Sequence, residues 1–147
     1  MTDNKHQNDI DRLNSFLRGE ISAVETYRQA LEKVEDATAE VVLRNNLANH
    51  QGRVTSLAAR ILRLGGEPAE SSGVWGAFAK AIEGGAKIFG ESAAVAALEE
   101  VEDHGLHDYQ NDLDRLSPEI RQMVATELLP EQQRTHDALS RLKKAMN

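Results

Sequence analysis

The chain has 147 residues, no cysteine and a net charge of −7 at neutral pH, and these properties exclude several classes of protein. Its length suits one domain with a substantial core and is short for two. The acidic balance argues against a nucleic-acid surface, the lack of cysteine excludes disulfides and thiolate metal sites, and no apolar run approaches the roughly 18 residues of a membrane span. We therefore expect one cytoplasmic domain over residues 1–147 that binds neither nucleic acid nor membrane.

The apolar residues of the first half recur in steps of three and four, which predicts two helices. The first should cover about residues 9–35 and follow a disordered segment over residues 1–8. The second should begin after a tight turn at 36–38 and end at Gly65-Gly66, because glycine adopts the left-handed conformation that stops a helix. Each stripe has one polar member, Glu20 and His50 respectively. The stripes are Leu13, Leu17, Glu20, Val24, Tyr27, Leu31 and Val34, then Leu43, Leu47, His50, Val54, Leu57, Ile61 and Leu64.

Residues 67–90 interrupt this periodicity and predict a long crossover. Pro68 and the serines and glycine that follow it favour a loop. Trp75, Phe78 and Ile82 have the spacing of a short amphipathic helix, which Gly84-Gly85 should end. A long crossover between two antiparallel helical hairpins differs from the short loops of an up-down-up-down bundle.

The second half predicts two more helices. A third carries an apolar stripe that contains Glu102, and a fourth should begin at Ser117-Pro118, a favourable capping pair. Pro130 lies inside the fourth helix and predicts a kink or local loosening, because proline has no N–H to donate. Beyond it, the inward face should consist of Gln133, His136, Leu139 and Met146.

An internal repeat relates the two halves. Glu20 and Tyr27 recur 82 residues later as Glu102 and Tyr109, and in a helix seven residues return a side chain to nearly the same face. Two related helical hairpins packed face to face would share one core. We therefore predict an all-α four-helix bundle made of two such hairpins.

Four polar side chains fall on the inward stripes, one from each long helix. They are Glu20, His50, Glu102 and His136. A buried carboxylate or imidazole needs a partner, so we expect these four to converge at mid-height and to bond one another, Tyr27 and Tyr109, or a metal ion. Neighbours that could support them are Asn46 and Asn49 beside His50, Glu99 one turn before Glu102, and Gln133.

These features resemble a known superfamily. The Glu and Tyr pairs, the two inward histidines and the Leu64-Gly65-Gly66 ending of the second helix are similar to ferritin-like proteins of the rubrerythrin and bacterioferritin type, and most closely to an uncharacterised bacterial branch known only as a domain of unknown function. The resemblance implies a ferritin-like bundle with metal ligands at Glu20, His50, Glu102 and His136. It also places the bridging glutamates of the superfamily at Leu47 and Gln133, which cannot bridge two cations.

Two functions remain open at this point. One is a divalent metal site, holding iron, manganese or zinc, that supports oxidoreductase chemistry; the other is a structural or partner-binding bundle with a metal-free polar network. The residues assign no catalytic group and no substrate. We also expect a homodimer, because two-fold dimers are the commonest soluble assemblies. The contact candidates are the apolar residues off the inward stripes, Ile21, Val41, Val42 and Val101.

Overall fold

The computed structural model describes residues 4–73 and 90–146, with side chains from His6 onward. Within these ranges the chain is helical and contains no strand. The helices are α1 (Asn4–Leu31), α2 (Ala37–Arg63), α3 (Glu91–Asp112), α4 (Pro118–Met123) and α5 (Leu129–Met146), with a 3₁₀ turn (Leu113–Arg115) before α4 and a π-helical segment (Val124–Leu128) between α4 and α5.

The packing of these helices confirms the predicted four-helix bundle. Helix α1 packs along α2, α3 packs along α5, and α1 also contacts α3. Because α4, the π segment and α5 follow without a break, they form the fourth helix of the bundle. The connection between α2 and α3 is long, as predicted. The short helix expected around Trp75, Phe78 and Ile82 lies outside the described residues.

Helix α2 begins and ends where its sequence predicts. Asp36 caps its start by accepting a hydrogen bond from the backbone N–H of Ala39, at 2.9 Å. At its end, Gly65 has a φ of +85°, and the N–H of Gly66 bonds the carbonyl of Ile61 at 3.0 Å. This pattern of a left-handed glycine and a long-range backbone bond is a Schellman motif.

The expectation of a disordered segment over residues 1–8 is wrong for residues 4–8, because α1 already begins at Asn4. Long-range bonds hold this end in place. The side-chain amide of Asn8 donates to the carbonyl of Arg115 at 2.8 Å. The buried carboxylate of Asp9 accepts from the backbone N–H and the hydroxyl of Ser117, at 3.0 and 2.6 Å. Asp9 thereby caps the fourth helix from another part of the chain.

The predicted loosening around Pro130 is present as the π segment. The N–H of Leu129 bonds the carbonyl of Val124, five residues earlier, where an α-helix would use four. A π turn holds one more residue than an α turn and so changes which residues face inward. Beyond it, Gln132 and Thr135 are buried and Gln133 is exposed.

The core consists of two apolar clusters with a polar layer between them. The first cluster includes Leu13, Phe16, Leu57, Ile61 and Leu128. The second cluster includes Ala30, Leu43, Val95, Leu98 and Leu139. Glu20, His50 and Glu102 belong to neither cluster, yet each is at least nine-tenths buried. Tyr109 joins the first cluster and Tyr27 the second, so the two tyrosines flank the polar layer.

The four predicted contact residues differ in their exposure. Val101 is buried and cannot serve in a dimer contact, while Ile21 and Val42 are partly buried against the core. Val41 is 58% exposed. No helix in residues 4–73 or 90–146 combines the length and hydrophobicity needed to cross a membrane.

Candidate functional site

His50 lies between two glutamates at the centre of the bundle. Its Nδ1 is 2.6 Å from Oε1 of Glu20 on α1, and its Nε2 is 2.7 Å from Oε2 of Glu102 on α3. All three side chains are buried, with 5% exposure or less. The structure therefore brings together three of the four residues that were predicted to converge.

These contacts determine the charge of His50. Ionised carboxylates only accept hydrogen bonds, so an imidazole that bonds a carboxylate through each nitrogen must carry a proton on both. Burial opposes this charge, but the carboxylates of Glu102 and Glu20 outweigh burial and the nearby Arg53, and they raise the pKa of His50 above its ordinary value. The two carboxylate contacts and the direction of this pKa shift both favour the imidazolium form of His50.

Arg53 brings a second positive charge into the same layer. It is buried, its Nη1 lies 3.2 Å from Oε2 of Glu20, and its guanidinium donates to Oε1 of Gln132 and, at 2.9 Å, to the hydroxyl of Thr135. Its Nη2 lies 3.0 and 3.1 Å from the two ring nitrogens of His50. Those nitrogens already donate their protons to carboxylates. Nη2 of Arg53 therefore lies against the imidazole ring without forming a hydrogen bond to it. The Nε of Arg53 has no partner among the described residues.

The carboxylate of Glu102 has its acceptor positions filled. Oε2 accepts from Tyr27 at 2.5 Å and from His50 at 2.7 Å, and Oε1 accepts from Thr135 at 2.8 Å and from Gln132 at 3.0 Å. A carboxylate offers about four lone-pair positions. Burial would raise the pKa of Glu102, but His50, followed by Tyr27 and Arg53, lowers it below its ordinary value.

Glu20 has a similar set of donors. It accepts hydrogen bonds from His50 and from the hydroxyl of Tyr109, the latter at 2.8 Å, and it forms an ion pair with Arg53. Burial raises the pKa of Glu20, yet Arg53 and His50 bring it below its ordinary value. Burial and the adjacent carboxylate raise the pKa of both tyrosines well above the ordinary value, so each hydroxyl remains a donor.

The internal repeat extends through the whole network. The offset of 82 residues that relates Glu20 to Glu102 and Tyr27 to Tyr109 also relates His50 to Gln132 and Arg53 to Thr135. Tyr27 of the first half bonds Glu102 of the second, and Tyr109 of the second bonds Glu20 of the first. Each half of the chain therefore contributes a glutamate, a tyrosine and two further polar residues at equivalent positions. The two sets differ in charge, because the first half has His50 and Arg53 where the second has Gln132 and Thr135.

The structure does not bring His136 into this network, so the expectation that it joins the other three is wrong. His136 is about one-fifth exposed, and its Nε2 bonds Asp103 at 2.6 Å. Burial lowers the pKa of His136, but the bonds to Asp103 and Asp137 outweigh burial, and the net effect is a raised pKa. Gln133 is likewise outside and donates to Asp137 at 2.9 Å. The π segment accounts for this, since Gln132 and Thr135 take the inward positions.

The other predicted neighbours have different roles from those expected. Asn46 is buried and supports the network, donating to the hydroxyl of Tyr27 and to the carbonyl of Thr135 rather than to His50. Asn49 donates to Glu131 at 2.6 Å. Glu99 pairs with Lys143 at 2.7 Å. Neither Asn49 nor Glu99 contacts the central carboxylates.

The donor set does not fit the metal site that the resemblance implies. The ring nitrogens of His50 and the oxygens of Glu102 already have proton partners, and Arg53 places a fixed cation against Glu20. Leu47 is partly buried and apolar, and Gln133 is exposed, so neither supplies a bridging oxygen. Within the described ranges, no three His, Cys, Asp or Glu side chains are arranged to hold a metal ion.

A small cavity reaches the network from between α1 and α3. Its volume is about 20 Å³, and its lining includes Glu20, His50, Asp108 and Gln132. This is room for a water molecule, whereas pockets for organic ligands measure roughly 300–1,000 Å³. The cavity therefore does not provide a substrate pocket.

Comparison with known proteins identifies one family. No curated protein and no solved structure matches the chain. A family model described as a domain of unknown function, DUF2383, matches residues 8–115. The matched range covers nearly three quarters of the chain and includes Glu20, His50, Arg53 and Glu102. The chain accordingly belongs to this family, the domain of unknown function DUF2383.

Proposed function

We propose that this protein is a non-catalytic, ferritin-like helical bundle that acts through its surface, and that its central polar layer is a metal-free structural network. The observation that carries the proposal is the position of Arg53. Its guanidinium is buried against Glu20, Gln132 and Thr135, in the layer where the resemblance implies metal ligands.

Charge balance supports this proposal. Glu20 and Glu102 contribute two negative charges, and His50 and Arg53 contribute two positive charges, so the layer is neutral. An unbalanced buried charge would be costly, and a divalent ion added to a neutral layer would create one. A metal ion would therefore have to displace a proton from His50 or move Arg53.

The hydrogen bonds across this layer support a structural role as well. Residues from α1, α2, α3 and α5 meet in one set of bonds, and a shift of any helix by one residue would break several of them. A buried network whose carboxylates have their donors can hold a bundle in one register without a ligand. The ferritin-like assignment is part of the proposal and rests on the resemblance, the long connection and the internal repeat.

Metal analysis tests this proposal directly. The protein would be purified without a metal column and dialysed against ferrous, manganous or zinc ion. We expect no stoichiometric binding and no loss of thermal stability on chelation. Retention of about one ion per chain, lost in Glu102→Ala but kept in Glu25→Ala, would support the metal hypothesis instead.

A pair of arginine variants tests the proposal that the polar layer stabilises the fold. By the cost of leaving a buried carboxylate without its cation, Arg53→Met should destabilise the fold by about 3–5 kcal/mol. Arg60→Met is the matched control on the same helix, because Arg60 is partly exposed and lies 4.0 Å from a largely exposed Glu119. Similar small losses for both variants in urea unfolding would contradict a structural role for Arg53.

A further inference from the structure

The outward face of α2 has two exposed apolar residues that the fold does not use. Val41 is 58% exposed and Leu62 is 63% exposed. They are the only large apolar side chains so exposed among residues 6–73 and 90–146. Single exposed apolar residues are ordinary, but these two lie on the same face of one helix, three heptads apart.

The surface between them is also unusual for an exposed helix face. Such a face normally carries charged residues, and charged residues make up 28% of this chain. Yet, apart from Arg44, the exposed residues of α2 between Val41 and Leu62 include no charge. They are Asn45, Ala48, Gln51, Gly52, Thr55, Ser56 and Ala59.

The residues of this face are arranged symmetrically about the point between Gln51 and Gly52. Val41 and Leu62 lie at equal distances from that point, and so do Glu40 and Arg63. When two copies of a helix pack antiparallel across a two-fold axis, residues at equal distances on either side face each other. Val41 would then contact Leu62 of the second copy. Glu40, which pairs with Arg44 of its own chain at 2.9 Å, would meet Arg63 of the second copy as a further cation.

We propose that this face of α2 is the interface with a second copy of the chain, packed antiparallel about a two-fold axis between Gln51 and Gly52. The charge complementarity of Glu40 and Arg63 selects this occupant and this orientation. A side chain at Gly52 would meet nothing within 4 Å in its own chain, so internal packing does not require this glycine. A small residue at the crossing lets two helices approach closely.

A groove beside this face extends the same surface. It lies between α1 and α2, measures about 350 Å³, and is lined by apolar Ile21, Val24 and Val54 with Glu25, Arg28 and Gln51 around them. Gln51 belongs to both the groove and the α2 face. One helix face is a small interface, so we expect a dissociation constant on the order of 10 μM.

Sedimentation velocity of the full chain tests the interface. Wild type should change from monomer to dimer between about 1 and several hundred micromolar. Leu62→Asp should weaken the dimer at least about tenfold, because it places a carboxylate in the apolar contact. The control is Gln110→Asp, at an exposed position of α3, which should associate like wild type. A wild type that stays monomeric, or a dimer that Leu62→Asp leaves intact, would overturn the proposal.

Charge reversal tests the orientation. Glu40→Arg and Arg63→Glu should each weaken association, and the double variant should recover it. The two residues are 23 positions apart in one helix, or about 35 Å, so they cannot compensate each other within a chain. Failure of the double variant to recover would exclude the antiparallel pairing.

Cross-linking adds a geometric test. The chain has no cysteine, so Gly52→Cys introduces a single thiol close to the axis. Under mild oxidation it should give a disulfide-linked dimer much faster than the control Gln110→Cys. Equal rates for the two variants would show that Gly52 is not near a two-fold axis.

Discussion

Arg53 on α2 and Glu20 on α1 form an ion pair inside the bundle, with Nη1 and Oε2 3.2 Å apart and both side chains at most 5% exposed. A buried pair of this kind gives little net stability by itself, but the loss of one partner leaves the other charged and unsolvated. The same holds for His50 and Glu102. The network is therefore expected to respond strongly to the removal of any one member.

Removal of Glu102 should be far more damaging than removal of a glutamate outside the network. Glu102→Ala leaves four donors without their acceptor and should lower the free energy of unfolding by about 2–4 kcal/mol. Glu25→Ala should have a much smaller effect, since Glu25 is only partly buried and lies in the outer groove. Urea unfolding of both variants provides the measurement. Equally small losses would contradict the network.

Stability should be greatest between the ordinary pKa values of the carboxylates and the imidazole. Folding lowers the pKa of Glu20 and of Glu102. Their contribution to the free energy of unfolding is therefore complete above pH 4.5, the ordinary pKa, and is lost as the pH falls through the lowered pKa of the folded state. Folding raises the pKa of His50. Its contribution to the free energy of unfolding is therefore complete below pH 6.5, the ordinary pKa, and is lost as the pH rises through the raised pKa of the folded state. Thermal unfolding across this range should show the decline above 6.5.

Two histidine variants identify the source of that alkaline decline. His50→Gln should be less stable than wild type and should lose most of the decline. His136→Gln should keep it, because His136 is partly exposed and pairs with Asp103 at the surface. An unchanged pH profile in His50→Gln would assign the decline to another group.

Two glycines in helices should respond in opposite directions to alanine. A Cβ at Gly105 would lie 2.8 Å from Nε2 of Gln132, which is bonded to the backbone and the carboxylate of Glu102. Gly105→Ala should therefore destabilise the fold by about 1–3 kcal/mol. Gly52→Ala meets nothing within 4 Å and should stabilise an isolated chain by about 0.5–1 kcal/mol, because alanine favours helix. Urea unfolding at low micromolar concentration distinguishes the two, and a stable Gly105→Ala would contradict the packing of Gln132.

Apolar spacing and end signals were sufficient to predict the helices and the long connection. The repeat of Glu and Tyr also placed Glu20 and Glu102 correctly, since a carboxylate within an apolar stripe has to face the core. His50 was found for the same reason. These predictions rest on the spacing of apolar residues along each helix. That spacing shows correctly which residues are buried when one face of the helix packs against the core.

Arg53, Gln132 and Thr135 were missed because residue type alone places them at the surface. Arginine is rarely fully buried without a partner, and its partner here lies on another helix. The signal that could have found Gln132 and Thr135 was the offset of 82, applied to His50 and Arg53. A continuous α-helix would place His136 on the inward face, but the π segment shifts the register, so that Thr135 is buried there instead.

The corrected positions change where a metal site could be built by substitution. His50 and Arg53, and likewise Gln132 and Thr135, have the three-residue spacing of a Glu-x-x-His motif. The variant with His50→Glu, Arg53→His, Gln132→Glu and Thr135→His should bind about two divalent ions per chain, and metal should raise its stability. The control is Leu47→Glu with Gln133→Glu, which should bind no more metal than wild type because Gln133 is exposed. Equilibrium dialysis of the folded variants decides between the two, and equal binding would contradict this assignment of the ligand positions.

The protonation of His50 tests the central claim most directly. Nitrogen NMR of the full-length protein at neutral pH, with His50→Gln used to assign the signals, reports whether each ring nitrogen carries a proton. A charge-balanced, metal-free network requires an imidazolium with both nitrogens protonated, one donating to Glu20 and the other to Glu102. A neutral ring with one unprotonated nitrogen would leave a lone pair for a metal ion and would contradict the charge-balanced, metal-free network.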